Sequence, residues 1–318
     1  MKEFWKYLKV VITIGVLGYF IDYFFNHKSD LEVVFHIPLR YLIVIFLLTS
    51  LSFFINGIFI KVTLKSFKKV ISVLESFYVS VMSSLGNYFL PLHGGTVIRS
   101  VYLKKKFNFP YTHFISTLYG YYIIVFLVNS FMGLISLLVI TLKYGVSSAP
   151  LYLFFGLLFI SMLVLTFLKI PARRKRSRLK VLDKILETIK KVSEGWNMIV
   201  ENKRLSLSLI GISVVFFITT GFLYYFEFRG LGIDISIMNV ILYNCLSGVS
   251  LLVSITPGSL GIREGIFSIT SDILGISNEQ IMQLALLDRG VSVIVLVVLF
   301  VVLWVGRKVV DKKIVSEK

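Results

Sequence analysis

The sequence predicts an all-α fold: a polytopic transmembrane helical bundle in two related halves, each carrying a Pro/Gly-broken segment. Three observations lead there. First, of 318 residues 56% are hydrophobic and only 16% charged, and the mean hydropathy is +0.85. A soluble domain carries roughly 25% charged residues, so a soluble enzyme is excluded. Second, apolar stretches recur at the length a bilayer demands, since about 20 helical residues cross about 30 Å of hydrocarbon and unsatisfied backbone groups force helical spans. Third, Lys+Arg 34 exceed Asp+Glu 17, and the surplus of +17 falls in alternate loops. In a soluble chain such charge would suggest nucleic acid; here membrane topology accounts for it, and no nucleic-acid partner is expected.

The elements follow in order. Val10–Phe25, behind Lys2, Lys6 and Lys9, lacks a small-residue cleavage pattern and reads as an uncleaved anchor. Leu39–Ile60 is the second span, Phe114–Leu142 the third and Leu151–Leu168 the fourth. Leu205–Phe228 and Met282–Val305 complete the six. Lys61, Lys65, Lys68, Lys69, Arg99, Lys104–Lys106 and the interval Lys169–Arg204 hold the basic residues, while the loops His27–Pro38, Lys143–Pro150 and Arg229–Ser236 hold few. The positive-inside rule then places both termini in the cytoplasm of a multi-pass plasma-membrane protein. A single integral membrane domain, 1–318, is expected, with a first half 1–170, a basic connector 171–204 and a second half 205–318. Within the connector, Leu182, Ile185, Ile189, Val192, Trp196 and Ile199 recur at steps of three and four, the mark of an amphipathic helix. It either lies on the membrane surface or the bundle, or docks a partner.

Two segments fail to be clean spans. Val70–Leu90 has one apolar face, while the other reads Ser72, Ser76, Ser80, Ser83, Ser84 and Asn87. A helix facing only lipid would not carry that stripe, so it lines a polar groove or a helix interface. It then meets Pro91, Gly94 and Gly95, followed by Arg99. In the second half Asn239–Thr256 bears Asn244, Ser247, Ser250 and Ser254 and meets Pro257, Gly258, Gly261, Arg263, Glu264 and Gly265. Paired Gly/Pro interruptions in corresponding positions point to a transporter's binding site. Such a break leaves free N–H groups at a half-helix N-terminus, which attract anions, and an adjacent arginine grips phosphate bidentately.

Candidate head-group ligands are therefore Arg263, Glu264, Arg289, Asp288 and Arg99, with Asn87, Ser83, Asn244 and Ser254 lining the groove. A purely structural role is simpler: interfacial residues that snorkel, or Asp288 and Arg289 neutralising each other. With one cysteine, Cys245, a disulfide and a cysteine-based metal cluster are out of reach. No histidine lies near it to make it a nucleophile. His93 and His113 have no second ligand at metal spacing, so neither metal nor cofactor is expected.

Thr256-Pro257-Gly258-Ser259-Leu260-Gly261-Ile262-Arg263-Glu264-Gly265 resembles the P-G-G-L-G-x-R-E-G signature of the lysylphosphatidylglycerol synthase transmembrane-region family, flippase-like integral membrane proteins. Pro91 through Arg99, with Tyr102-Leu103-Lys104, is similar to that family's first-half motif, and Arg289 falls where the family places an arginine. The resemblance spans nearly the whole chain and implies a bundle with re-entrant helices. It implies relatives that flip aminoacylated phospholipid or serve polyprenyl-lipid glycan pathways. The chain departs from the pattern at Thr96, where the family commonly has an acid, and at Gly120-Tyr121, where it often has Glu-Arg.

Three functions compete. One is translocation of an anionic phospholipid or polyprenyl-phosphate lipid. A second is phosphatidylglycerol lysyltransfer, for which the sequence offers no catalytic residue and no soluble region large enough for tRNA. A third is a scaffold that holds a glycosyltransferase or other lipid-modifying partner through Arg178–Lys203.

Overall fold

The computed structural model describes residues 28–90, 93–167, 194–253 and 256–316, and their regular structure is helical. In chain order these are α1 (Lys28–Phe35), α2 (Leu39–Ser66), α3 (Val73–Phe89), α4 (Gly94–Phe107), α5 (Tyr111–Tyr144) and α6 (Ala149–Phe167). After a helical stretch over 194–201 come α7 (Lys203–Gly230), α8 (Ile237–Val249), α9 (Ile262–Ile269), α10 (Ser271–Leu274) and α11 (Asn278–Ser316). Short 3₁₀ turns at Ser250–Val253 and Pro257–Ser259 flank the second break. The helices α2, α5, α6, α7 and α11 are long and apolar enough to cross a membrane. They correspond to the five later predicted spans, with boundaries displaced by a turn or so at some ends. The expected first crossing, Val10–Phe25, lies outside the described residues, as do Pro91, Ser254 and most of the connector.

Local chemistry sets the boundaries. Pro38 and Pro110 precede α2 and α5, where a missing N–H costs nothing. The hydroxyls of Ser72 and Ser236 and the amide oxygen of Asn202 accept from backbone N–H groups in the first turns of α3, α8 and α7. Gly145 and Gly275, at φ +70° and +66°, close α5 and α10 in the left-handed conformation. The outer helix α6 buries only Phe155 and Leu158 and turns the rest of its apolar surface outward, as lipid-facing helices do.

Contacts at the helix ends assign two faces to the bundle. On the basic face, Phe67 after α2 stacks against His113 at the start of α5, with ring centroids 4.7 Å apart. There too Glu75, at the start of α3, pairs with Lys106 at the end of α4 (2.9 Å) and with Arg307 on α11 (2.7 Å). On the opposite face, Gly230 at the end of α7 lies against Ile37 and Tyr41 at the start of α2. The Asn239 amide, at the start of α8, donates to the Leu274 carbonyl at the end of α10 (2.9 Å). The α3–α4 hairpin therefore enters from the basic face, and the α8–α10 hairpin from the opposite one. Their tips meet inside the bundle, where the Tyr88 ring rests on Gly258. Both broken segments turn back instead of adding crossings. The order long helix, re-entrant hairpin, long helix thus occurs twice with reversed sense, in α2–α5 and in α7–α11.

The α3–α4 hairpin is closed by small residues. A Cβ on Gly95 would stand 1.7 Å from the Ser83 carbonyl oxygen, and one on Gly86 would stand 2.6 Å from the Gly95 Cα. Only backbone-to-backbone contact fits there.

Candidate functional site

A cavity of about 280 Å³ occupies the junction of the two hairpin tips. Asn87 and Tyr88 reach it from α3, Asn129 from α5, Thr220 from α7 and Asn244 from α8, while Arg263 and Asp288 form a charged wall. Ser84, Ser247 and Ser250 add hydroxyls. The Asn244 amide donates to the Phe217 carbonyl (2.9 Å) and its oxygen accepts from Thr220 (3.0 Å), which fixes its orientation. The Asn87 oxygen is buried without a hydrogen-bond partner among the described residues. Polar groups of this kind, held by surrounding helices, give a membrane bundle a wet interior.

The charged wall belongs to a cluster of two ion pairs between α9 and α11. Arg263 on α9 pairs with Asp288 on α11, and Arg289 pairs with Glu264 at 2.6 Å. None of the four side chains is more than 14% exposed. Mutual neutralisation of Asp288 and Arg289 is therefore not what occurs. Neighbours on a helix point roughly 100° apart, so each finds its partner on the other helix.

The two pairs do different work. Arg263 and Asp288 line the cavity. Glu264 and Arg289 fasten the break behind it: Arg289 also donates to the Gly258 carbonyl (2.7 Å), and the second Glu264 oxygen accepts from the Gly261 N–H (2.8 Å). Gly258 and Gly261 sit at φ +56° and +77°, where a Cβ is disfavoured. The anion-attracting N–H expected at this half-helix start is thus already taken at Gly261 by a carboxylate of the chain itself. Pro257 opens the short 3₁₀ turn, and Gly265 lies inside α9 with open space around its Cα.

One acid that sequence reasoning missed belongs to this cluster. Glu227 on α7 is 1% exposed, and neither of its carboxylate oxygens has a hydrogen-bond partner among the described residues. It stands one helical turn from Tyr224, which lines the cavity together with Asp288 and Arg263. The available signal was an acid near the end of the apolar run Leu205–Phe228, since ionisable residues inside spans are expensive and mark function.

The first-half residues are arranged differently. Arg99 occupies a separate small pocket with Asn56, Thr117 and Tyr121, its guanidinium 5.3 Å from the Phe114 ring centroid. Its Nε is buried without a hydrogen-bond partner, and no carboxylate among the described residues pairs with it. Tyr121 lines both this pocket and the central cavity. Ser83, expected in the groove, instead donates to the Gly95 carbonyl (3.1 Å), while Ser80 donates to Phe53 (2.9 Å). Much of the serine stripe is therefore a packing surface, and only its Ser84–Asn87 end faces the cavity. Gly94 and Gly95 are likewise packing glycines. Gly120 makes room for Trp196, whose ring would lie 2.5 Å from a Cβ there. Trp196 and Ile199 are buried against the bundle, so this end of the connector packs on the protein.

The sequence profile of the lysylphosphatidylglycerol synthase TM region matches residues 7–299. No curated protein matches the chain.

Proposed function

The chain belongs to the lysylphosphatidylglycerol synthase TM region family, and on that premise we propose that it translocates an anionic lipid, a phospholipid or a polyprenyl phosphate, between bilayer leaflets. The observation that carries this reading is the polar cavity where two oppositely entering hairpins meet, walled by Arg263 and Asp288. A head group enters that cavity and its phosphate replaces Asp288 on the Arg263 guanidinium, which offers a planar fork of donors. The asparagine amides hold the remaining head-group oxygens, while the hydrocarbon chains stay in the bilayer. Reversed halves around a fixed midplane site are the framework on which alternating access operates. The basic face, with Lys65, Lys68 and Lys104–Lys106 nearby, is the cytoplasmic one in this scheme.

The test is leaflet accessibility of a head-group-labelled phosphatidylglycerol in liposomes holding the full chain. Arg263→Ala should abolish flipping and lower stability by about 3–5 kcal/mol, because it strands Asp288 unpaired. Arg263→Lys should restore stability and only part of the flipping. Arg263→Ala with Asp288→Asn should regain stability yet stay inactive. Wild-type flipping by that double variant would assign the pair a structural role and overturn the proposal.

A further inference from the structure

The cluster behind the cavity contains an excess of acid. Glu227, Glu264 and Asp288 supply three carboxyls against the two guanidiniums of Arg263 and Arg289. Glu264 and Arg289 close on each other, with both Glu264 oxygens occupied. That leaves Arg263 to serve Asp288 and Glu227 together. The other titratable groups facing Glu227 are the phenols of Tyr224 on its own helix and Tyr243 on α8. A phenol stays protonated near neutral pH, so neither adds charge. Tyr88 on α3 lines the cavity with Asp288; where the chain enters α2, Ile37 and Tyr41 lie against Gly230 with Arg40 over the Tyr41 ring (5.0 Å), and Arg229 on α7 pairs with Asp234 (2.9 Å). One guanidinium neutralises one carboxylate, and a second carboxyl buried beside it with no counter-charge of its own is retained as the neutral acid.

We infer that Glu227 and Asp288 form a proton-carrying carboxyl pair, holding one shared proton while the cavity is empty and taking up a second when an anionic head group binds Arg263. This rests on the head-group reading above and adds its coupling to protons. The charges balance in both states. With the cavity empty, one ionised carboxyl of the pair neutralises Arg263. When a phosphate monoanion takes over Arg263, that carboxylate loses its counter-ion and accepts a proton from solvent. The bound state then contains two guanidiniums, one phosphate, the Glu264 carboxylate and two neutral acids, again with no net charge. One proton accompanies each monoanionic head group. The sign follows from linkage: the bound state holds more protons, so affinity rises as pH falls.

The experiment uses the full chain in phosphatidylcholine nanodiscs, with infrared detection of protonated carboxyl and, separately, binding of a short-chain phosphatidylglycerol between pH 5 and 8. The ligand-free protein should show a protonated carboxyl band at pH 7. Glu227→Gln, which keeps the Arg263–Asp288 pair and should fold normally, should lose it. Affinity of the wild type for the probe should rise up to about tenfold per unit drop in pH, the limit for one linked proton. Glu227→Gln should keep that dependence through Asp288, and Glu227→Gln with Asp288→Asn should abolish it. Absence of the band, or pH-independent binding by the wild type, overturns the inference. If the band is present but no probe binds at any pH, the fault lies in the head-group reading; the coupling falls with it and the shared proton stands.

Discussion

The two re-entrant hairpins share a motif and solve different problems with it. In the second, Pro257, Gly258 and Gly261 shape a turn with positive φ angles at the two glycines, and both arginines near it have a counter-charge: Arg263 with Asp288, Arg289 with Glu264. In the first, the glycines serve contact, because Gly95 admits nothing larger between α3 and α4. Its arginine, Arg99, faces an aromatic ring and has no carboxylate partner among the described residues. The difference teaches that an arginine after a Pro-x-x-x-Gly break is no fixed functional unit. What surrounds the guanidinium decides whether its loss strands a buried charge.

The contrast can be broken most severely at Gly95. Gly95→Leu should cost 3 kcal/mol or more, at or beyond the upper end of about 1–3 kcal/mol for overpacking, since the obstacle is backbone. The expected readout is loss of monodisperse protein after solubilisation. A second-half turn that collapses equally under Gly265→Ala would erase the distinction. That substitution meets nothing within 4 Å and should be neutral or stabilising by up to about 1 kcal/mol.

Between these extremes lie the arginines. Arg289→Ala removes the bonds to Glu264 and Gly258 together and leaves a buried carboxylate, so thermal unfolding should register about 3–5 kcal/mol of destabilisation. Arg99→Ala strands no acid and forfeits one ring contact, worth about 2 kcal/mol for a desolvated guanidinium and offset in part by the relief of its burial. Equal losses at the two positions would show that Arg99 has a counter-charge after all. A large effect of Arg99→Ala on flipping, with stability intact, would sharpen the comparison by giving the first hairpin its own anion contact.

Much of this architecture is legible in the sequence because hydrophobic length speaks directly to bilayer thickness. The spans from Leu39 onward, both breaks and the polar lining at Asn87 and Asn244 follow from period and composition. What escapes are the pairings. Asp288 and Arg289 are adjacent in sequence, and only the facing of α9 and α11 shows that each bonds across the gap. Ser83 and Ser84 look alike in a stripe, yet one backs onto Gly95 and the other opens to the cavity. Glu227 is visible as an acid at the end of an apolar run, but its significance depends on counting the charges that two other helices, α9 and α11, bring to it.

The node on the basic face has a consequence for how the chain is made. Glu75 is buried at the foot of the first hairpin, and Arg307 joins it there, lying over the Tyr78 ring and donating to the Tyr102 hydroxyl. Tyr102 and Arg307 stand 205 residues apart. During synthesis the first hairpin is therefore inserted long before the guanidinium that completes its base exists. Until α11 arrives, Glu75 has only partners from its own hairpin, the Tyr102 hydroxyl and the Lys106 ammonium, the latter partly in water. A chain that stops short of residue 307 therefore lacks the one guanidinium, among the described residues, that joins α11 to the base of the first hairpin.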